Sequence, residues 1–226
     1  MKDKKEAIIG LLVFIGYILL SFFSSDIFTL IGINNYPISI KILITFIYDL
    51  FILFSLVCIY LKKIKRDLKD YKNNFKYYIN KYFKYWFLNL GLMMISSTLI
   101  SMFTNIDSST NQEYIVKLLD SFPLYTLIST VLIAPVTEEL MFRLNFRKIF
   151  KTDFLFIIMS GITFGAMHLS VATSALELLY IIPYSIPGII FAYTLKKSNN
   201  IFVPISLHLF HNTVMMILQL LITIIE

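Results

Sequence analysis

The residues of this 226-residue chain that could do chemistry are polar side chains set inside long apolar stretches. They form three clusters: Glu138 and Glu139 with Arg143, Phe164 with His168, and His208 with Asn212. Ionisable groups at bilayer depth are costly, so such groups usually mark a catalytic, ion-conducting or substrate-binding centre. Glu139 and Arg143 stand four residues apart and share a helix face, which predicts a salt bridge. Glu138 points about 100° away from that face, and is left free to meet a cavity and act on water as a general base. Phe164 and His168 repeat the spacing and put a ring and an imidazole on one face. That imidazole can orient a water, move a proton or bind a metal. His208 and Asn212 repeat it again, and an imidazole N–H beside an amide could together donate to an oxyanion as a carbonyl is attacked. His211 lies on an adjoining face, as a contact between helices or a supporting partner. Each cluster also has a structural explanation: a helix end with Arg143 snorkelling to headgroups, an interfacial histidine, or polar glue between helices. Three complementary clusters in three separate stretches are much harder to explain that way.

The elements that must position these residues are membrane helices. The chain is 58% hydrophobic and 15% charged, with a mean hydropathy of +0.76, outside the range of soluble domains. Crossing the hydrocarbon takes about 20 mostly apolar residues, and the sequence predicts an all-α polytopic transmembrane bundle of about seven spans. They lie near residues 8–30, 38–61, 86–103, 118–136, 154–168, 176–195 and 201–225. The first is full length and lacks a small-residue cleavage site, so it reads as an anchor rather than a signal peptide. Basic residues stay cytoplasmic. Lys2, Lys4 and Lys5, the run from Lys62 to Lys84, the group Arg143, Arg147, Lys148 and Lys151, and Lys196 with Lys197 therefore predict a multi-pass protein of the cell membrane with its N-terminus inside. The stretch from Lys62 to Tyr85, with Tyr71, Phe75, Tyr77, Tyr78 and Tyr82 interleaved, predicts an amphipathic cytoplasmic helix whose rings sit at headgroup level.

The net charge of +6 lies beside the spans, where this topology accounts for it, so nucleic acid is not an expected partner. Cys58 is the single cysteine and excludes an intramolecular disulfide. Residues 1–226 read as one membrane-embedded domain, with a motif-bearing core at about 118–225. Gly161 and Gly165 predict a close approach between helices, and Pro135, Pro183, Pro187 and Gly188 predict bends. One conflict follows from the spans: Glu138 falls near the cytoplasmic end of the fourth, and His168 near the external end of the fifth. A kink at Pro135, with Glu138 opening a separate and deeper helix, would reconcile them.

With its three motifs in order, the chain resembles the CAAX protease and bacteriocin-processing (CPBP, or Abi) intramembrane endopeptidases. Glu138, Glu139 and Arg143 match that family's Glu-Glu-xxx-Arg, Phe164 and His168 its Phe-xxx-His, and His208 and Asn212 its His-xxx-Asn. The resemblance implies peptide-bond hydrolysis in a membrane cavity, with Glu138 and His168 activating water and His208 and Asn212 holding the oxyanion. The family has also been described as metal-dependent, and Glu138, His168 and His208 could supply a zinc site with one position left for water. A cofactor-free glutamate mechanism is favoured, because Asn212 is a natural oxyanion donor and a poor zinc ligand. The implied partners are the lipid bilayer and a membrane-associated peptide or protein precursor. The Ile-, Lys- and Asn-rich composition suggests an AT-rich bacterial genome. The competing readings are a proton-coupled transporter, with Glu138, His168 and His208 as relay, and a non-catalytic membrane immunity or adaptor protein.

Overall fold

Long apolar runs with few internal breakers wind into helices, and the chain follows that rule from end to end. The structure is a computed structural model that describes residues 2–225, and no strand occurs among the described residues. Its helices are α1 (Lys2–Phe22), α2 (Ser24–Leu30), α3 (Ile38–Asn73), α4 (Phe75–Tyr82), α5 (Lys84–Thr104), α6 (Thr110–Ser121), α7 (Pro123–Ile128), α8 (Ala134–Glu138), α9 (Phe146–Ile149), α10 (Asp153–Met167), α11 (Ile181–Ser198) and α12 (Phe202–Ile225). Five stretches are long and apolar enough to cross a membrane: Lys4–Phe22, Ile38–Asn73, Phe75–Thr104, Leu176–Ser198 and Phe202–Thr223. Burial is inverted relative to a soluble protein. Leu19, Phe51, Phe54 and Phe103 are exposed while Glu139, Arg143 and Asn145 are wholly buried, the pattern expected when the surrounding solvent is lipid.

Two predicted spans are drawn differently. The first breaks at Phe23, and the left-handed Gly32 (φ 75°) turns the chain into α3. The fourth does not begin at Leu118: Phe122 (φ −141°, ψ 65°) ends α6, and Pro123 opens a new helix. From there residues 123–149 form one helical run, in which wider π-type turns at Ser129–Ile133 and Glu139–Asn145 join α7, α8 and α9. The run is therefore not broken at Pro135. A proline ring clashes with the carbonyl four residues back and supplies no N–H; the wider turn just before Pro135 makes room for it without breaking the helix.

This geometry removes the conflict of depth. Glu138 lies fifteen residues after Pro123 and eleven before Ile149, about 20 Å and about 15 Å along the axis. It sits in mid-helix. α10 has 15 residues, about 22 Å of rise and short of the roughly 30 Å hydrocarbon. Its first residue, Asp153, pairs with Arg147 at 2.8 Å and Lys196 at 3.3 Å, so α10 starts level with the basic ends of α9 and α11. His168, at its far end, thus stops inside the bundle.

Small residues bring α10 and α11 together. A Cβ on Gly188 would lie 2.6 Å from the Gly161 Cα, and one on Gly165 would lie 2.9 Å from the Ser185 nitrogen. Pro187 lies inside α11 without ending it. Polar clamps fix the other helices. Wholly buried Asn145 accepts from the Tyr60 hydroxyl at 2.7 Å and donates to the Gly10 carbonyl at 2.9 Å, tying α1 and α3 to the motif-bearing run. Asn200 donates to the Asp67 carbonyl at 2.8 Å and to Asp70 at 2.7 Å, while Asp67 accepts from the Ile201 N–H at 3.0 Å. This sets the depth of α12, and with it His208. The amphipathic segment is present, but its rings divide. Tyr71, Tyr78, Tyr82 and Trp86 are buried against Ile190, Phe191, Val203 and Leu207, whereas Phe75 and Tyr77 remain exposed.

Candidate functional site

A cavity of about 410 Å³ opens between α6, the 123–149 run, α10, α11 and α12, and Glu138, Phe164, His168, His208 and Asn212 all line it. Residues from three separate stretches of sequence meet there. Glu139 and Arg143 lie immediately behind its wall and are wholly buried.

Glu139 anchors the deep end. One carboxylate oxygen accepts from His208 Nδ1 at 2.8 Å, and the other lies 2.9 Å from Arg143 Nε. The Arg143 contact has ion-pair distance but not hydrogen-bond alignment, and none of the guanidinium nitrogens has a hydrogen-bond acceptor among the described residues. Aromatic faces take that place. The guanidinium carbon sits 4.7 Å from the ring centre of Phe164 and 5.8 Å from that of Phe191, a cation–π arrangement that gains strength where water is excluded. Phe164 thereby supports the cation that neutralises Glu139. Because Nδ1 of His208 is occupied, Nε2 faces the cavity, 3.6 Å from Glu138. Glu138 keeps a fifth of its side chain exposed, at 19%.

His168 is held differently. Its Nδ1 lies 3.0 Å from the Phe164 carbonyl, which can only accept, so Nδ1 carries the hydrogen and the neutral ring keeps a lone pair at Nε2. The ring packs between Phe164 at 4.7 Å and Tyr184 at 4.8 Å. Tyr184 has no motif to betray it in the sequence. Its hydroxyl meets Ser109 Oγ at 2.5 Å and links the site to the start of α6.

Asn212 makes a contact that the motif alone does not announce. Its side-chain nitrogen donates to the Thr130 carbonyl at 2.8 Å. In the π-type turn the Ala134 N–H bonds back to Ser129, so the next bond in register would join residue 135 to Thr130, and Pro135 has no N–H. Asn212 replaces the missing donor and retains one N–H for the cavity. His211 also lines the cavity, and its Nδ1 lies 3.5 Å from the amide nitrogen of Asn89, a wholly buried residue of α5. Asn89 was legible only as a lone amide in an apolar helix.

As for a metal, no group of three His, Cys, Asp or Glu side chains among the described residues is gathered closely enough to hold an ion. Glu138, His168 and His208 share the cavity, and a zinc ion there would need all three within about 2.0–2.2 Å of one point.

Residues 120–214 match the protein family described as type II CAAX prenyl endopeptidase, Rce1-like. The curated protein named "Putative membrane peptidase YdiL", from Bacillus subtilis (strain 168), is 31% identical over 115 residues, covering 50% of this chain and 44% of that relative. Both matches support the resemblance of this segment to the CAAX protease and bacteriocin-processing family. The match spans less than half of that relative's length. No solved structure matches significantly. The family segment contains every motif residue of the cavity, whereas α1 to α5, the clamps at Gly10, Tyr60 and Asp67, and the Asn89 contact lie before it.

Proposed function

We propose that the chain is an intramembrane endopeptidase of glutamate type, inserted with its basic loops and N-terminus on the cytoplasmic side. The observation that carries the reading is the joint lining of one cavity by Glu138, His168, His208 and Asn212, with Glu139 and Arg143 buried directly behind.

In this reading a water held between Glu138 and the His168 Nε2 lone pair loses a proton to Glu138 as its oxygen attacks the peptide carbonyl. The carbonyl π electrons move onto oxygen. The N–H of Asn212 not used by Thr130, and a protonated His208 Nε2, are placed to receive that oxyanion. Glu138 then gives its proton to the amide nitrogen, the C–N bond breaks, and a carboxylic acid and an amine result. Charge balance supports the division of labour. With Glu139 offset by Arg143, one proton shared between Glu138 and His208 makes the cluster neutral, the state a low-dielectric site favours.

The substrate in this reading is a peptide or protein precursor associated with the membrane. Purified protein in lipid vesicles, incubated with a library of apolar peptides and read by mass spectrometry, tests the reading. Cleavage should occur, and Glu138→Gln should lower its rate by about 10²- to 10⁴-fold, the usual worth of a general base, with unchanged thermal unfolding. No cleavage by the unaltered protein, or full activity in Glu138→Gln, would sink the reading.

A further inference from the structure

Exposure along the cavity wall runs in one direction. At its deep end Phe164 is 2% and His208 4% exposed, while at the other end Leu218 is 48% and Ile222 49% exposed. Beneath the deep end Leu140, Met141, Phe142, Arg143 and Phe191 are buried to 1% or less. The cavity therefore has its mouth toward the end of Leu218 and Ile222.

That mouth is built from the start of α6, through Asn111, Gln112 and Ile115, and from the second half of α12. It lies at the end of the bundle opposite the basic loops. Lys41 and Lys117 are the only basic residues near that end, which also carries Asp107, Glu113, Asp120 and Glu177. The rim is tied down: Glu177 accepts from the Thr110 N–H at 2.6 Å and from its hydroxyl at 2.9 Å.

The wall has its own chemistry. Among the described residues Glu138 is the only Asp, Glu, Lys or Arg lining the cavity. Asn111, Gln112 and Gln219 offer amide donors and acceptors of the kind that pair with an extended main chain. Met93, Met215 and Met216 supply an adaptable apolar wall.

We infer that the cavity is loaded from the outer face of the membrane, by an extended peptide segment with apolar, uncharged side chains. Loops rich in lysine and arginine remain cytoplasmic, which places the mouth outside. Main-chain bonding to the rim amides would supply affinity, and an acidic side chain would meet the like charge of Glu138 with no wall lysine or arginine to offset it. A lysine on the peptide would have to be stripped of water to meet Glu138, the group needed as base. The inference deepens the peptidase reading and rests on it for the word substrate, but its geometry can be tested without hydrolysis.

In a Cys58→Ser background, Gln112→Cys and Lys76→Cys, both at exposed positions, should be treated in intact cells with a sulfonated maleimide that cannot cross membranes. Gln112→Cys should label in intact cells and Lys76→Cys only after permeabilisation; the reverse pattern overturns the inference. A blocked peptide of alanine, leucine and serine should slow labelling of Gln219→Cys, and the same peptide bearing lysine or aspartate at its centre should not. Equal protection by all three overturns the stated chemistry. If labelling follows the expected pattern but no peptide is cleaved, the peptidase reading fails and the entry face stands. If sealed vesicles cleave only peptide supplied on the side of the basic loops, the peptidase reading stands and the entry face fails.

Discussion

Asn212 donates its side-chain amide to the main-chain carbonyl of Thr130 at 2.8 Å, between two neighbouring helices that both line the cavity. Pro135 orphans that carbonyl five residues later in the chain, and Asn212 satisfies it. The amide is thereby fixed in orientation, with one N–H to spare. Asn212→Ala should lower cleavage by about 10²- to 10³-fold if it removes one oxyanion donor, and should also cost about 1–3 kcal/mol by leaving a buried carbonyl unpaired. Pro135→Ala restores an N–H in register. In the double variant thermal stability should return toward that of the parent while cleavage stays low. Recovery of both together would show that Asn212 acts only as a strut.

Arg143 should matter more for folding than for chemistry. It is wholly buried, pairs with Glu139 at 2.9 Å, and lies over the rings of Phe164 and Phe191. Arg143→Ala would strand Glu139, and losing one partner of a buried pair costs about 3–5 kcal/mol. The variant should accumulate poorly and melt early. Arg143→Lys should recover only part of the loss, since a compact ammonium cannot lie flat against two rings. Normal melting of Arg143→Ala in detergent would show that water reaches the pair.

Much of this site was legible in the sequence, for a physical reason. Spacings of four residues within a helix fix which side chains share a face, so the pairing of Glu139 with Arg143 and the turning of Glu138 toward a cavity follow from local geometry. Depth was not legible. A proline in an apolar run reads as a break, yet a π-type turn before Pro135 absorbs it, and hydropathy does not distinguish the two outcomes. Nor does composition show that α10 stops short of a full crossing, which is what brings His168 level with Glu138. Long-range partners such as Thr130, Tyr184 and Asn89 carry no periodic signal, because each is chosen by the packing of helices far apart in the chain.

The α10–α11 contact should be intolerant of a single methyl. On Gly188 that methyl would fall 2.6 Å from the Gly161 Cα and 2.9 Å from its carbonyl oxygen, both main-chain atoms that cannot swing aside. Gly188→Ala should therefore separate the helices and cost about 1–3 kcal/mol, as overpacking commonly does. Since α10 carries Phe164 and His168, activity should fall with stability. Gly91→Ala is the control, because no neighbouring atom lies within 4 Å of the added carbon. Comparable melting of the two variants would show that the helices can part at no cost.

Removal of metal separates the two chemistries that the motif residues permit. His208 is committed through Nδ1 to Glu139 at 2.8 Å, which leaves Nε2 alone to bind or donate, and that atom stands 3.6 Å from Glu138. His168 is fixed with Nε2 as its free atom. A zinc ion would need Glu138, His168 and His208 around one point at about 2.0–2.2 Å, a gathering that no three His, Cys, Asp or Glu side chains among the described residues show. Water activation by Glu138 asks for no such gathering. Dialysis against 1,10-phenanthroline should therefore leave the cleavage rate of the purified protein unchanged, with less than stoichiometric zinc in the active preparation. Loss of activity that one equivalent of zinc restores, and that His208→Gln prevents from being restored, would replace glutamate chemistry with a metal centre.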